Sequence, residues 1–141
     1  MSLSMFDKPA LLETLFFPRP ARPLPLNNQQ GIVDGVIEIA EDVVLGYRYF
    51  VARPEYPVIF FFHGNGEVAA DYDMIAPMFH NIGVTIIVID FRGYGWSTGR
   101  PTVSSLIDDV APIAEALPAI FAEHNIQSPR YIMGRSLGSV P

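Results

Sequence analysis

The chain has 141 residues, half of them apolar, with nine basic and fifteen acidic side chains and a net charge of -6. That length suits one domain with a real core, the apolar share excludes a disordered chain, and the acidic balance argues against nucleic acid as a partner. The absence of cysteine excludes disulfides, thiolate metal sites and a cysteine nucleophile, and it fits a reducing, cytoplasmic location.

The first 34 residues read as a leading segment. A short helix is expected from Asp7 to Phe17, with Asp7 as N-cap, Pro9 in the first turn and Leu11, Leu12 and Leu15 on one face. Asp7 and Glu13 interrupt its apolar stretch and there is no basic leader, so no signal peptide is expected. Pro18, Pro20, Pro23 and Pro25 then predict an extended connection running to Gln30.

Residues 35–141 alternate strands and helices. Gly35 to Ala40 and Val43 to Ala52 predict an antiparallel hairpin turning at Glu41-Asp42. Val58 to Phe62 is apolar on both faces, as a central strand covered on both sides would be, and Val84 to Ile89 has the same character. Both runs fall far short of the roughly 20 residues of a membrane span. Between them a helix is expected over Glu67 to Ile82, with Ile75, Met78, Phe79 and Ile82 facing the core and Gly83 as its stop. A second helical stretch covers Thr102 to His124, with Val103, Leu106, Ile107, Val110, Ile113, Ala114 and Leu117 inward. Pro112 and Pro118 predict kinks or two shorter helices there. The strand Tyr131-Ile132-Met133 closes the series, and the alternation implies parallel strands with right-handed crossovers.

Chemistry concentrates in three places. Gly134-Arg135-Ser136-Leu137-Gly138 follows the last strand and matches the Gly-x-Ser-x-Gly nucleophile elbow, which makes Ser136 the candidate nucleophile. His63-Gly64-Asn65-Gly66 follows the most apolar strand. A glycine-rich turn there opens the backbone, so that the Asn65 N–H, together with the Leu137 N–H after the serine, could stabilise an oxyanion. His63, placed before the glycines, reads as a brace for the loop rather than a general base. The third place is the loop Asp90 to Gly99, where Asp90 and Arg92 read as structural, Tyr94 and Trp96 as cover for the loop in preference to a pocket lining, and Ser97 has no elbow around it. Asp108-Asp109 reads as lying on the solvated side of its helix or near its start, where the dipole favours acids. His80 and His124 lack partners at metal-ligand spacing, so no metal site is predicted.

Gly64-x-Gly66-x-x-Ala69 also fits a dinucleotide fingerprint, with Asp90 where a ribose-binding acid would lie. A nicotinamide-dependent oxidoreductase is therefore an alternative, although it leaves the elbow and the loop after Asp90 without a task.

The three motifs, in this order, resemble the α/β-hydrolase family, in the branch of serine hydrolases that includes acyl-protein depalmitoylases and related esterases and lipases. The resemblance runs from about Gly35 to Pro141. It implies an α/β fold with a mostly parallel sheet, strand order 1-2-4-3-5, and an N-terminal antiparallel hairpin, truncated after the elbow. It implies hydrolysis of a carboxylic ester or thioester through an acyl-serine, a small-molecule or acyl substrate, and no cofactor. Ser136 would act as nucleophile, Asn65 and Leu137 as oxyanion donors, and Gly134, Gly138, His63, Gly64 and Gly66 as support. A haloalkane dehalogenase would carry Asp at position 136. In this family the catalytic acid and histidine follow the serine. None follows Ser136 here, so the chain reads as the N-terminal half of a hydrolase. Alone it is expected to be inactive and to self-associate, or to hold a missing segment, along an open sheet edge. A hydrolase-like scaffold that binds a partner without catalysis is the remaining alternative.

Overall fold

The computed structural model describes residues 3–25 and 31–141. The end of the predicted Pro18–Gln30 connection, residues 26–30, lies outside them. Five strands form one sheet in the order β1-β2-β4-β3-β5. They are β1 (Ile32–Ala40), β2 (Val43–Phe50), β3 (Val58–Phe62), β4 (Thr85–Ile89) and β5 (Arg130–Gly134). The sheet is mixed: β2 runs antiparallel to both β1 and β4, whereas β3 is parallel to β4 and β5. Asp42 takes φ +60° in the turn of the hairpin, a left-handed conformation that Asp tolerates better than most residues.

Alternation along β3 divides the core. Phe60 and Phe62 face the side covered by the helices α3 (Val103–Asp108) and α4 (Val110–Glu123), where Leu106, Ile113, Ile120 and Phe121 pack. Phe61 faces the other side, with Ala69, Tyr72 and Ala76. The leading segment joins the first of these layers. Its helix α1 spans Pro9–Leu15, and Phe16, just after it, is buried in the same cluster as Phe60 and Phe62.

Several helical expectations need correction. Lys8, not Asp7, is the N-cap of α1. Asp7 instead accepts the Ser104 N–H at 3.2 Å in the first turn of α3, and bonding to Ser104 holds its carboxyl below the usual range. The single helix over Glu67 to Ile82 is two pieces, a 3-10 turn at Ala69–Met74 and a short α2 at Ala76–Asn81. Pro77 has no N–H to bond one turn back, and the 3-10 piece turns faster than an α-helix. The inward residues are therefore Ala69, Tyr72 and Ala76, while Met78 and Ile82 are exposed and only Phe79 of the expected face packs on the core. Gly83 ends the helix as expected, at φ +78° and with its N–H on His80 O.

The Thr102–His124 stretch divides at Asp109. Pro112 cannot donate to the Asp108 carbonyl, and it sits in the first turn of α4, where its missing N–H costs little. Ile107 and Ala114 of the expected inner face are exposed. Asp109 stands at the start of α4 as its N-cap, one of the two places expected for it, but it is buried rather than solvated and holds Arg92 in a bidentate pair at 2.8 and 2.5 Å. No helix among the described residues is long and apolar enough to cross a membrane.

Candidate active site

Parallel strands end on one edge, so the loops after β3, β4 and β5 meet there. The loop after β5 is bent back on β3: the Arg135 N–H donates to Phe62 O at 3.0 Å, and Gly138 N–H to Arg135 O at 2.9 Å. A 3-10 turn then spans Ser136–Ser139. Both flanking glycines are required by contact. A Cβ on Gly134 would lie 2.1 Å from Gly138 O, and one on Gly138 would lie 2.1 Å from Phe62 O. Ser136, between them, is exposed and adopts φ +52°. A non-glycine residue bears strain in that region, and such strain is found mostly where a side chain must be aimed. Leu137 is the second residue of the turn, a place where an N–H has no partner inside the helix.

The loop after β3 is braced from below. His63 is fully buried; its Nδ1–H donates to Gly64 O at 2.8 Å, and Nε2 lies 3.1 Å from Asp90 Oδ1. Both ring nitrogens are thus engaged. Asp90 Oδ1 also accepts the Ala69 N–H at 2.7 Å. Asp90 Oδ2 is buried without a partner among the described residues and faces Gly95, where a Cβ would lie 1.9 Å away. Gly66 takes φ +77°, so the loop could not turn as easily with a side chain there.

Glu67 and Arg135 form a link that the motifs did not reveal. One carboxylate oxygen of Glu67 accepts the Gly64 N–H at 2.7 Å and the Tyr72 hydroxyl at 2.9 Å, and the other pairs with Arg135 Nη1. Burial and the Glu67 carboxylate push the Tyr72 hydroxyl up. Arg135 is the variable residue of Gly-x-Ser-x-Gly, so the link ties the glycine loop to the elbow. The acid three residues after Gly64, as in a capping box, was the available signal. Gly64 N–H is occupied by this bond, whereas Asn65 N–H donates to no acceptor among the described residues.

The loop after β4 is cover. Ser97 Oγ accepts Gly46 N–H and donates to Asp90 O, Trp96 packs over Gly46, and Tyr94 is fully buried. The other histidines are also engaged: His80 Nε2 lies 3.3 Å from Phe50 O and His124 Nε2 2.9 Å from the Tyr47 hydroxyl. No group of three or more His, Asp or Glu side chains among the described residues is placed to hold a metal ion.

The sequence and the fold match known proteins. A family model described as serine aminopeptidase, S33, matches residues 54–140. The chain belongs to this α/β-hydrolase family. Lysophosphatidylserine lipase ABHD12 of Xenopus tropicalis is 32% identical over 91 residues, which is 63% of this chain and 22% of the lipase. The chain thus spans about a fifth of that relative's length. The esterase Pf2001 of Pyrococcus furiosus superposes with TM-score 0.56 at 20% identity, over 77% of this chain and 41% of the esterase. A haloalkane dehalogenase of Bradyrhizobium elkanii, the DbeA-M1 loop variant, superposes with TM-score 0.51 at 25% identity, over 77% and 33%. Membership of the S33 family replaces the dinucleotide reading, and the geometry supplies the reason. Gly64 to Gly66 leads into a 3-10 turn rather than an α-helix N-terminus, and Asp90 is buried against His63 instead of facing a ribose.

Proposed function

We propose that the chain carries the nucleophile and oxyanion loop of a serine hydrolase that cleaves a carboxylic ester or thioester. The observation that supports this most is the exposed Ser136 at φ +52° between two glycines that cannot carry a side chain. Ser136 Oγ attacks the carbonyl carbon while its proton passes to a base. The carbonyl electron pair moves onto oxygen, where the Asn65 and Leu137 N–H groups hold the charge. Collapse breaks the bond to the alcohol or thiol, which leaves with a proton, and water then releases the acid from Ser136. Serine, where a dehalogenase would carry aspartate, favours acyl transfer over halide displacement. The lipase activity of the lysophosphatidylserine lipase relative favours an ester over the amide that an aminopeptidase cleaves.

His63 has both ring nitrogens bonded, His80 Nε2 lies at Phe50 O and His124 Nε2 at the Tyr47 hydroxyl, and none of the three is hydrogen-bonded to Ser136 among the described residues. The base therefore comes from outside these 141 residues, and this chain alone has negligible turnover. The same engaged histidines favour a second reading, a binding scaffold with a residual serine. A cysteine-free composition supports a cytoplasmic setting. The test is reaction of the native protein that contains this segment with a fluorophosphonate, against its Ser136→Ala variant. Label on the wild type alone supports the hydrolase; equal or no label on both supports the scaffold. A Ser136-dependent burst of p-nitrophenol from an ester by residues 1–141 alone would show that a base is present after all.

A further inference from the structure

The loop between His63 and Gly66 is held from below by His63 and Glu67, but its upper side is held by residues 15–21. Every polar atom of the Asn65 side chain is used there. Asn65 Nδ2 donates to Leu15 O at 2.5 Å, and Asn65 Oδ1 accepts the Phe17 N–H at 3.1 Å and the Tyr94 hydroxyl at 2.6 Å. The Tyr94 oxygen accepts the same Phe17 N–H at 3.0 Å, closing a three-membered network. Arg19 continues the attachment by donating to Gly66 O at 2.8 Å and pairing with Asp71 through both nitrogens. Its own carbonyl accepts the Gly95 N–H at 2.8 Å. Phe16, buried in the main core, anchors this strap from beneath.

These bonds use the donors and acceptors of the Asn65 side chain and leave its backbone N–H free of any acceptor among the described residues. We propose that Asn65 is a positioning residue, whose side chain uses the N-terminal strap as a fixed frame to aim its own backbone N–H at the oxyanion. The inference rests on the serine-hydrolase reading above. A peptide plane in a glycine-flanked loop can rotate, and preorganised donors act only if they do not have to reorient during reaction. The strap removes that freedom through a side chain that never touches substrate. Tyr94, fully buried beneath the network, supports it through one hydroxyl.

The experiment uses the native protein containing this segment, with Asn65→Ala and Tyr94→Phe as independent variants, thermal melts to show that each is folded, and two readouts. Hydrogen exchange at the Phe17 amide reports the strap. The rate of Ser136 phosphonylation by a fluorophosphonate, separated into probe affinity and maximal rate, reports the aim of the donor. The expected result is faster Phe17 exchange in both variants and a maximal rate at least about 10-fold lower with unchanged probe affinity. A freed strap with an unchanged maximal rate overturns the proposal, and so does a Phe17 amide that stays protected. A wild type that does not react removes the hydrolase reading itself, and with it this role, an outcome distinct from both.

Discussion

Strands β4 and β5 flank β3 in the same parallel sense and both carry large apolar residues, yet their burial is opposite. Ile87 of β4 is 0% exposed, whereas Tyr131 and Ile132 of β5 are 58% and 71% exposed. β4 lies between β2 and β3, and β5 has a strand on one side only. Open clefts run along both faces of β5, one between Ile132, Val110 and Leu117 and the other between Met133, Phe79 and Tyr72. A strand's apolar character states what it can bury; its neighbours decide whether it does. An edge of this kind presents unpaired backbone and apolar surface to other chains, which is the basis for expecting residues 1–141 to self-associate.

The largest effect is expected where the two halves of the sheet are joined. Gly138→Ala places a Cβ 2.1 Å from the Phe62 carbonyl oxygen, and neither backbone can yield. The expected loss is about 4–5 kcal/mol or failure to fold, read by chemical denaturation. A loss under about 1 kcal/mol would mean that the elbow does not rest on β3.

Next comes a pair that measures the contrast itself. Ile87→Ala should cost about 2–5 kcal/mol, as deletion from a closed core does, and Ile132→Ala no more than about 0.5 kcal/mol. A cost at Ile132 in the core range, with a mass above 15.6 kDa in light scattering, would show the edge covered by a second copy. Ser136→Gly should raise stability by about 1 kcal/mol, because glycine accepts φ > 0 without strain, while Ser136→Ala keeps the strain. Equal melting temperatures for the two variants would mean that the elbow is not strained.

The smallest effect at neutral pH lies in the closed half, where Tyr47 meets His124. Burial pushes the Tyr47 hydroxyl from its usual 10.0 up to about 12. Its contribution is complete below about pH 10 and is lost as pH rises through about 12, because the unfolded chain releases that proton first. Burial holds His124 below its usual 6.5, so its contribution is complete above that pH and is lost as pH falls toward the lowered value. The Tm should therefore be flat between these limits and fall on both sides. His124→Gln should remove the acid-side slope in the window just below pH 6.5.

What the sequence by itself determined is local. Five strand positions follow from apolar runs and turn residues, and the elbow follows from a spacing of glycines around Ser136 that only a sharp bend requires. The turn after β3 was also legible, because the glycines of His63-Gly64-Asn65-Gly66 follow the most apolar run. The helix faces were not, since one proline and a faster 3-10 turn shift the phase that periodicity assumes. Only tertiary structure decided that Glu67 reaches Arg135 and that Asn65 reaches Leu15 and Phe17. These contacts join residues about fifty or more positions apart, and they depend on strand order rather than on anything that a window of neighbouring residues contains.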